Sequence, residues 1–413
     1  MRFFEYLLNI LCFWRYKWGV SNDTLSYKLA ELLDISRGSV FLFENARSAQ
    51  YIFLKSLNLR KKNSVALQAF TCNAVVNPIL WVGLKPLYID IGSKTLNISL
   101  DSLYERIDSD TKVVVIQHTF GTPVFKERED FEKFIEEMHS KDIIVIEDCA
   151  HCLGGSLDGK KLGTFGDASI FSFGVEKVLS TRVGGVLVVN NSKYISKVWE
   201  EFNNLHPVGY LSSFLWLLNP VIWRIIRCLG GTDSLARFFR NLGLLNMGFF
   251  NSELLGKKPK HYPRKLSNVL CNVVSKEIDC LSLNLKHRKR ISEIYEQKFS
   301  SVKEVELVEH CKLKDISFLR YPLICETSSL ASDLFQFLKK ERVNVGDWYC
   351  PVVYPHSTSL KSMNYEKGSC PVAEDIASRI VNLPTGESIS VEYAERICEG
   401  IICFFQNYGN KRN

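Results

Sequence analysis

Several classes are excluded by what this 413-residue chain lacks. Its two most apolar stretches cannot cross a bilayer as helices. Met1 to Trp18 is interrupted by Glu5 and Asn9 and closed by Arg15 and Lys17; Tyr210 to Trp223 is short and holds Pro220. No small-residue cleavage site accompanies the first stretch, so a secretory signal is not expected. There are no repeats, low-complexity tracts or long linkers. Charge of one sign is scarce: 52 Lys and Arg against 45 Asp and Glu leave a scattered +7. That surplus suits anionic small molecules or a membrane surface, and without an accompanying motif it argues against nucleic acid. The 13 cysteines are odd in number and sit in apolar runs, as at Cys12, Cys271 and Cys403. They read as reduced thiols of a cytoplasmic protein rather than a disulfide framework. Cys149 and Cys152 form a lone C-x-x-C, with no partner pair to complete a zinc or redox motif.

What is present is an ordinary globular composition, 46% hydrophobic and 23% charged, in a chain long enough for a large core and two domains. A capped amphipathic helix is expected at 22–33. From Val40 onward, apolar β-branched runs alternate with helical stretches. Strands are expected at 40–43, 65–69, 87–91, 113–116 and 143–146, with helices near 48–57, 73–82, 100–107 and 128–139. Such alternation means a mostly parallel sheet wrapped by helices. No G-x-G-x-x-G follows the first strand, which disfavours a dinucleotide enzyme.

The stretch from Ile143 to Asn190 organises the rest. A buried strand ends in Glu147 and Asp148, where open α/β folds place their ligands. A glycine-rich loop follows, with glycines at 154, 155, 159, 163 and 166. A second apolar run, 168–173, leads into Gly174-Val175-Glu176-Lys177, and a third, 184–189, closes the unit. An acid after one strand and a lysine after another are thus offered to one cleft.

These residues resemble the DegT/DnrJ/StrS family of pyridoxal-phosphate-dependent sugar aminotransferases. The matching pieces are Glu147-Asp148-Cys149-Ala150-His151, Gly163 to Asp167, Ser172-Phe173, Lys177 and Gly184-Gly185, in order and at family spacing. The similarity extends more thinly from about Phe43 to the C-terminus. It implies that Asp148 holds the protonated ring nitrogen of the cofactor, and that Lys177 anchors the cofactor and shuttles the substrate proton. It places Ser172 on the cofactor phosphate and His151 near the ring or its phenolic oxygen.

Other positions depart from the family pattern. Asn45-Ala46-Arg47-Ser48 stands where Ser-Gly-Thr-Ala is usual. The segment is either a phosphate cradle with Arg47 as an added clamp and Ser48 beside it, or an ordinary helix cap. Cys72 falls where the family stacks an aromatic ring on the cofactor, so either Phe70 substitutes or the cofactor is held more loosely. Arg182-Val183 replaces a common Gly-Glu, and a cross-dimer asparagine aligns near Pro263. His118, in a family-like His-x-x-Gly segment, either faces the cleft or is a satisfied structural histidine.

The resemblance implies fold type I of the pyridoxal-phosphate transferases, an α/β architecture. A large domain, 1–312, would carry the mostly parallel sheet and an apolar insertion at about 205–263. A small C-terminal α/β domain would span 313–413. The stretch 266–295 reads as one long helix whose basic run, 286–290, is a solvated face. The insertion reads as a helical pair covered in a homodimer, with peripheral membrane contact as the alternative; the same two readings apply to Met1 to Trp18. The implied reaction moves an amino group, usually from glutamate, to a nucleotide-linked keto-deoxysugar. A keto-cyclitol or other small ketone and a non-catalytic membrane-associated scaffold remain as alternatives. A sugar 3-dehydratase is disfavoured, because those relatives carry histidine where this chain has Lys177.

Overall fold

The computed structural model describes residues 22–230, 233–241, 245, 250–309 and 317–410. The expectation for Met1 to Trp18 lies outside them. Seven strands form the main sheet: β1 Val40–Phe43, β2 Ser64–Gln68, β3 Lys85–Ile89, β4 Thr111–Gln117, β5 Ile144–Asp148, β6 Ala168–Ser172 and β7 Gly185–Val189. Their order is β1-β7-β6-β5-β4-β2-β3. From β6 to β3 every pairing is parallel, and β7 runs antiparallel to both its neighbours. Both faces are covered, so β1 and β7 are buried along their whole length. The covering helices include Asn22–Leu33, Ala46–Ser56, Asn73–Trp81, Leu100–Arg106 and Arg128–Ser140.

A second, antiparallel sheet consists of β8 Val305–Leu307, β9 Arg320–Cys325 and β10 Ile380–Pro384. Helices Ser328–Lys340, Pro371–Arg379 and Val391–Asn410 accompany it. A short parallel ribbon pairs Val353 and Tyr354 with Thr71 and Cys72. It ties the C-terminal unit to the loop after β2.

The structure corrects four details of the expected pattern. The strand expected at 87–91 ends at Ile89, because the Asp90 carboxylate turns away to accept the Val372 and Ala373 N–H groups at 3.0 and 2.8 Å. The strand expected at 143–146 takes in both acids. The single helix expected at 266–295 is two, Asn268–Ile278 and Leu281–Phe299, joined at Asp279 and Cys280. Within its basic run, Arg288 is buried rather than solvated. It donates to Asn284 Oδ1, the Leu319 carbonyl and Thr385 Oγ1.

The insertion contains the helices Tyr210–Cys228 and Asp233–Asn241. Leu217, Ile222, Ile226 and Ala236 are buried, and Ser213 Oγ lies 2.7 Å from Ser267 Oγ. Among the described residues, no helix is long and apolar enough to cross a membrane.

Candidate active site

Two adjacent carboxylates at the end of β5 serve opposite faces, because side chains alternate along a strand. Glu147 is fully buried and accepts the N–H groups of Gly163, Phe165 and Gly166 at 2.8, 2.7 and 2.8 Å. The Gly-Thr-Phe-Gly turn is therefore wrapped around a carboxylate. Gly163 sits at φ +93°, and a Cβ there would come within 2.4 Å of the Phe171 ring. His118 Nε2 lies 3.2 Å from Glu147 Oε2. His118 is completely buried and does not line the cleft, and its Nδ1 has no hydrogen-bond partner among the described residues, so neither the cleft nor the satisfied structural reading describes it.

Asp148 faces the other way, into a cavity of about 180 Å³. Its Oδ1 accepts the Ala150 N–H at 3.0 Å. Burial raises its pKa, while the same backbone hydrogen bond and the nearby Lys177 charge oppose the rise. Lys177, His151, Ser172, Arg47 and Cys72 line the same cavity. Six of the seven residues picked out from the sequence are thus brought together. Ser48 is not among the lining residues: it is buried, with Oγ 3.4 Å from Glu44 Oε1.

Lys177 is carried by the loop between β6 and β7, whose ends are tied by Phe173 N–H to the Gly184 carbonyl at 3.0 Å. Arg320 reaches the neighbouring Glu176 at 2.8 Å. Lys177 Nζ lies 4.6 Å from the centre of the Trp348 ring. Burial pushes the amine below the ordinary lysine value, against the pull of Cys72, Asp148 and Glu176. At the end of β6, Ser172 Oγ accepts the Gly174 N–H at 3.3 Å.

Both nitrogens of His151 are committed to the protein. Nδ1 accepts the Phe120 N–H at 3.1 Å, which leaves the proton on Nε2, 3.2 Å from the Tyr349 hydroxyl. Burial holds the imidazole well below its usual pKa, hence neutral. Its face packs on Trp348, with ring centres 5.3 Å apart and planes 15° from parallel.

The helix Ala46–Ser56 begins with an ordinary cap, Asn45 Oδ1 accepting the Ser48 N–H at 2.9 Å. Arg47 is paired inward: Nη1 lies 2.8 Å from Glu253, both side chains being buried, and Nη2 lies 3.5 Å from Tyr262 Oη. Beside them Arg264 donates to Glu44 at 2.8 Å, and burial lifts Glu44 to about 7 despite that partner.

Cys72 lines the cavity, and its sulfur accepts the Ala74 N–H at 3.5 Å. Phe70 does not substitute for an aromatic there. It is fully buried, packed edge-on against Phe120 and Tyr349. The aromatic wall instead comes from Trp348, Tyr349 and Tyr354, joined by Trp216, Phe250 and Tyr262 of the insertion. Sequence reasoning missed all six as site residues. The ribbon between 71–72 and 353–354 and the contacts of Asn382 with Gly346 and the Trp348 carbonyl bring the first three into place.

The donor set fits pyridoxal phosphate. A buried amine and a buried carboxylate face one cavity, and burial disfavours the charge of each. Such a pair is costly unless a bound group uses it.

The sequence profile of the DegT/DnrJ/EryC1/StrS aminotransferase family matches residues 5–402. GDP-perosamine synthase of Escherichia coli O157:H7 is 25% identical over 366 residues, 88% of this chain and 85% of that protein. The dTDP-4-amino-4,6-dideoxy-D-glucose transaminase of Shigella dysenteriae is 24% identical over 387 residues, 93% and 90% of the two chains. In fold, the chain superposes on the PLP-form of "Putative sugar aminotransferase Spr1654" from Streptococcus pneumoniae with a TM-score of 0.72. That match has 18% identity and covers 95% of this chain and 94% of the other. With a family match over nearly its whole length and Lys177 facing Asp148 in one cavity, the chain belongs to the DegT/DnrJ/EryC1/StrS aminotransferase family, and is a pyridoxal-phosphate-dependent aminotransferase.

Proposed function

We propose that this enzyme transfers an amino group, from glutamate, to a keto-deoxysugar carried by a nucleotide. The observation that carries the reading is the buried Lys177 amine set across the cavity from Asp148. The named activities of the E. coli and Shigella relatives support the sugar class.

When bound, the cofactor supplies an electron sink that makes the substrate Cα–H acidic. The protein residues do the rest. The Asp148 carboxylate would hold the proton on the cofactor's ring nitrogen. Lys177 Nζ, its charge disfavoured by burial, would hold the cofactor and serve as the base that takes up the proton from the substrate carbon. Ser172 Oγ and the start of the helix Ala46–Ser56 would hold the phosphate, with Arg47 turned to its partner Glu253. Trp348 and Tyr349 wall the cavity against water. Arg182, which also lines the cavity, offers its guanidinium to a sugar diphosphate.

The working unit of this reading is a cytoplasmic homodimer in which the insertion meets the partner subunit.

Two experiments test the reading. The protein is expected to be yellow, with borohydride fixing the cofactor to the peptide that contains Lys177. Lys177→Ala should be colourless and slower by roughly a thousand-fold or more; a colourless variant that still transaminates at the parent rate would refute the role. Second, the enzyme is incubated with glutamate and a panel of GDP, UDP and dTDP 4-keto and 3-keto sugars. Mass spectrometry should find 2-oxoglutarate and one aminosugar. Amination of a free keto-cyclitol alone would replace the nucleotide-sugar reading.

A further inference from the structure

Behind the cavity, on the Glu147 side of β5, lies a cluster that the transamination chemistry does not use. A ring nitrogen of His118 and the sulfurs of Cys149 and Cys152 lie within 4.8 Å of one another. All three residues are buried, with exposures of 0%, 0% and 4%. The C-x-x-C has no second pair in the sequence, and the fold supplies a third donor from the end of a neighbouring strand instead. Glu147 Oε2 accepts a hydrogen bond from the Nε2–H of His118 at 3.2 Å. That leaves Nδ1 with its lone pair, fully buried and without a hydrogen-bond partner among the described residues. A carboxylate that fixes one nitrogen of an imidazole and leaves the other open is the arrangement that orients metal-bound histidines.

We propose that His118, Cys149 and Cys152 bind one zinc-like divalent ion, a structural staple between the ends of β4 and β5. Two sulfurs and one imidazole are the donor set of a borderline-soft ion, and carboxylate-preferring magnesium or calcium would not select it. A tetrahedral ion with bonds of about 2.0 to 2.3 Å holds its donors roughly 3.5 to 4 Å apart, so the cluster closes by at most about 1.3 Å. Binding breaks two S–H bonds and forms two metal–sulfur bonds, so two protons leave for each ion and the metal with its two thiolates is neutral. Neutrality is what a site with no exposed surface requires. The ion would hold the turn that follows Asp148 against the end of β4, yet it touches neither substrate nor cofactor.

The test uses the full-length holoenzyme, cleared of metal by a chelator and titrated with zinc or cobalt(II) without any substrate. It therefore stands or falls separately from the sugar reading. One equivalent per chain is expected, with two protons released and, for cobalt, a thiolate-to-metal charge-transfer absorption. Affinity should rise up to about a hundred-fold per pH unit while both thiols must be deprotonated. Cys149→Ser and Cys152→Ser, close in size to the native residues, should each weaken binding by ten-fold or more, whereas Cys280→Ser at an exposed position should not. Retained cofactor colour verifies that the variants fold, and proton release by the unaltered protein needs no variant. Absence of the cobalt band, or binding undiminished in the doubly substituted Cys149→Ser, Cys152→Ser protein, would overturn the proposal. So would a native mass lower by two hydrogens with no metal, the sign of a disulfide.

Discussion

Glu44 is buried next to Arg264, and burial outweighs that pairing enough to lift its carboxyl to about 7 from an ordinary value near 4.5. The folded protein thus holds a proton that the unfolded chain gives up between those two values. Stability from this group is fully present below about 4.5 and is lost as pH rises through 7. A shift of that size corresponds to about 3 kcal/mol. Neutral, buried His151 works the other way in the same range, so the sign is read from the variant: Glu44→Gln should lower the Tm at pH 5 relative to pH 8 compared with the parent. An unchanged difference in the variant would assign the pH slope to another group. Glu147 and Asp148 make a related point at this scale. They are neighbours with unlike tasks, one buried under three backbone N–H groups and one lining the cavity.

The start of the helix Ala46–Ser56 is positioned by β7 rather than by its own sequence. A Cβ on Gly185 would lie 2.2 Å from the Ala46 nitrogen and 2.3 Å from the Asn45 carbonyl carbon, so only glycine lets the two segments touch. Gly185→Ala should lower stability by about 2 kcal/mol or more and weaken cofactor retention, because the helix must move away from the phosphate end of the cavity. Gly209→Ala, where an added Cβ meets nothing within 4 Å, should stay within about 0.5 kcal/mol. Differential scanning and cofactor titration of both variants measure the contrast. The long basic helix shows how an element can be misread. Its apolar periodicity runs on through Asp279 and Cys280, both still close to right-handed helical geometry, so the break leaves little trace in the sequence.

Over the whole molecule, exposed large apolar residues gather on the insertion. Tyr210, Leu211, Ile225, Leu229 and Phe238 are all exposed, Leu211 to 72%. A surface of that kind calls for a cover. Sedimentation velocity is expected to give a homodimer at assay concentrations, with Leu211→Asp plus Phe238→Asp weakening it ten-fold or more. An active monomer contradicts the expectation. Co-sedimentation with anionic vesicles, lost in the same double variant, would instead assign the surface to a membrane.

The sequence by itself determined the parallel sheet and the core of the site. Both are written in local order: runs of β-branched residues, two acids at a strand end, a lysine a few residues beyond the next. Spacing within about 30 residues carries that information whatever the rest of the chain does. Strand alternation even foretells that Glu147 and Asp148 must diverge. The tertiary structure alone decided which distant groups meet. Trp348 over Lys177, Glu253 against Arg47, and His118 beside Cys149 and Cys152 join segments that no periodicity links. It also decided the electrostatics. The Lys177 amine and the Glu44 carboxyl are shifted chiefly by desolvation, and desolvation depends on everything packed around a group, which exists only once the chain has folded.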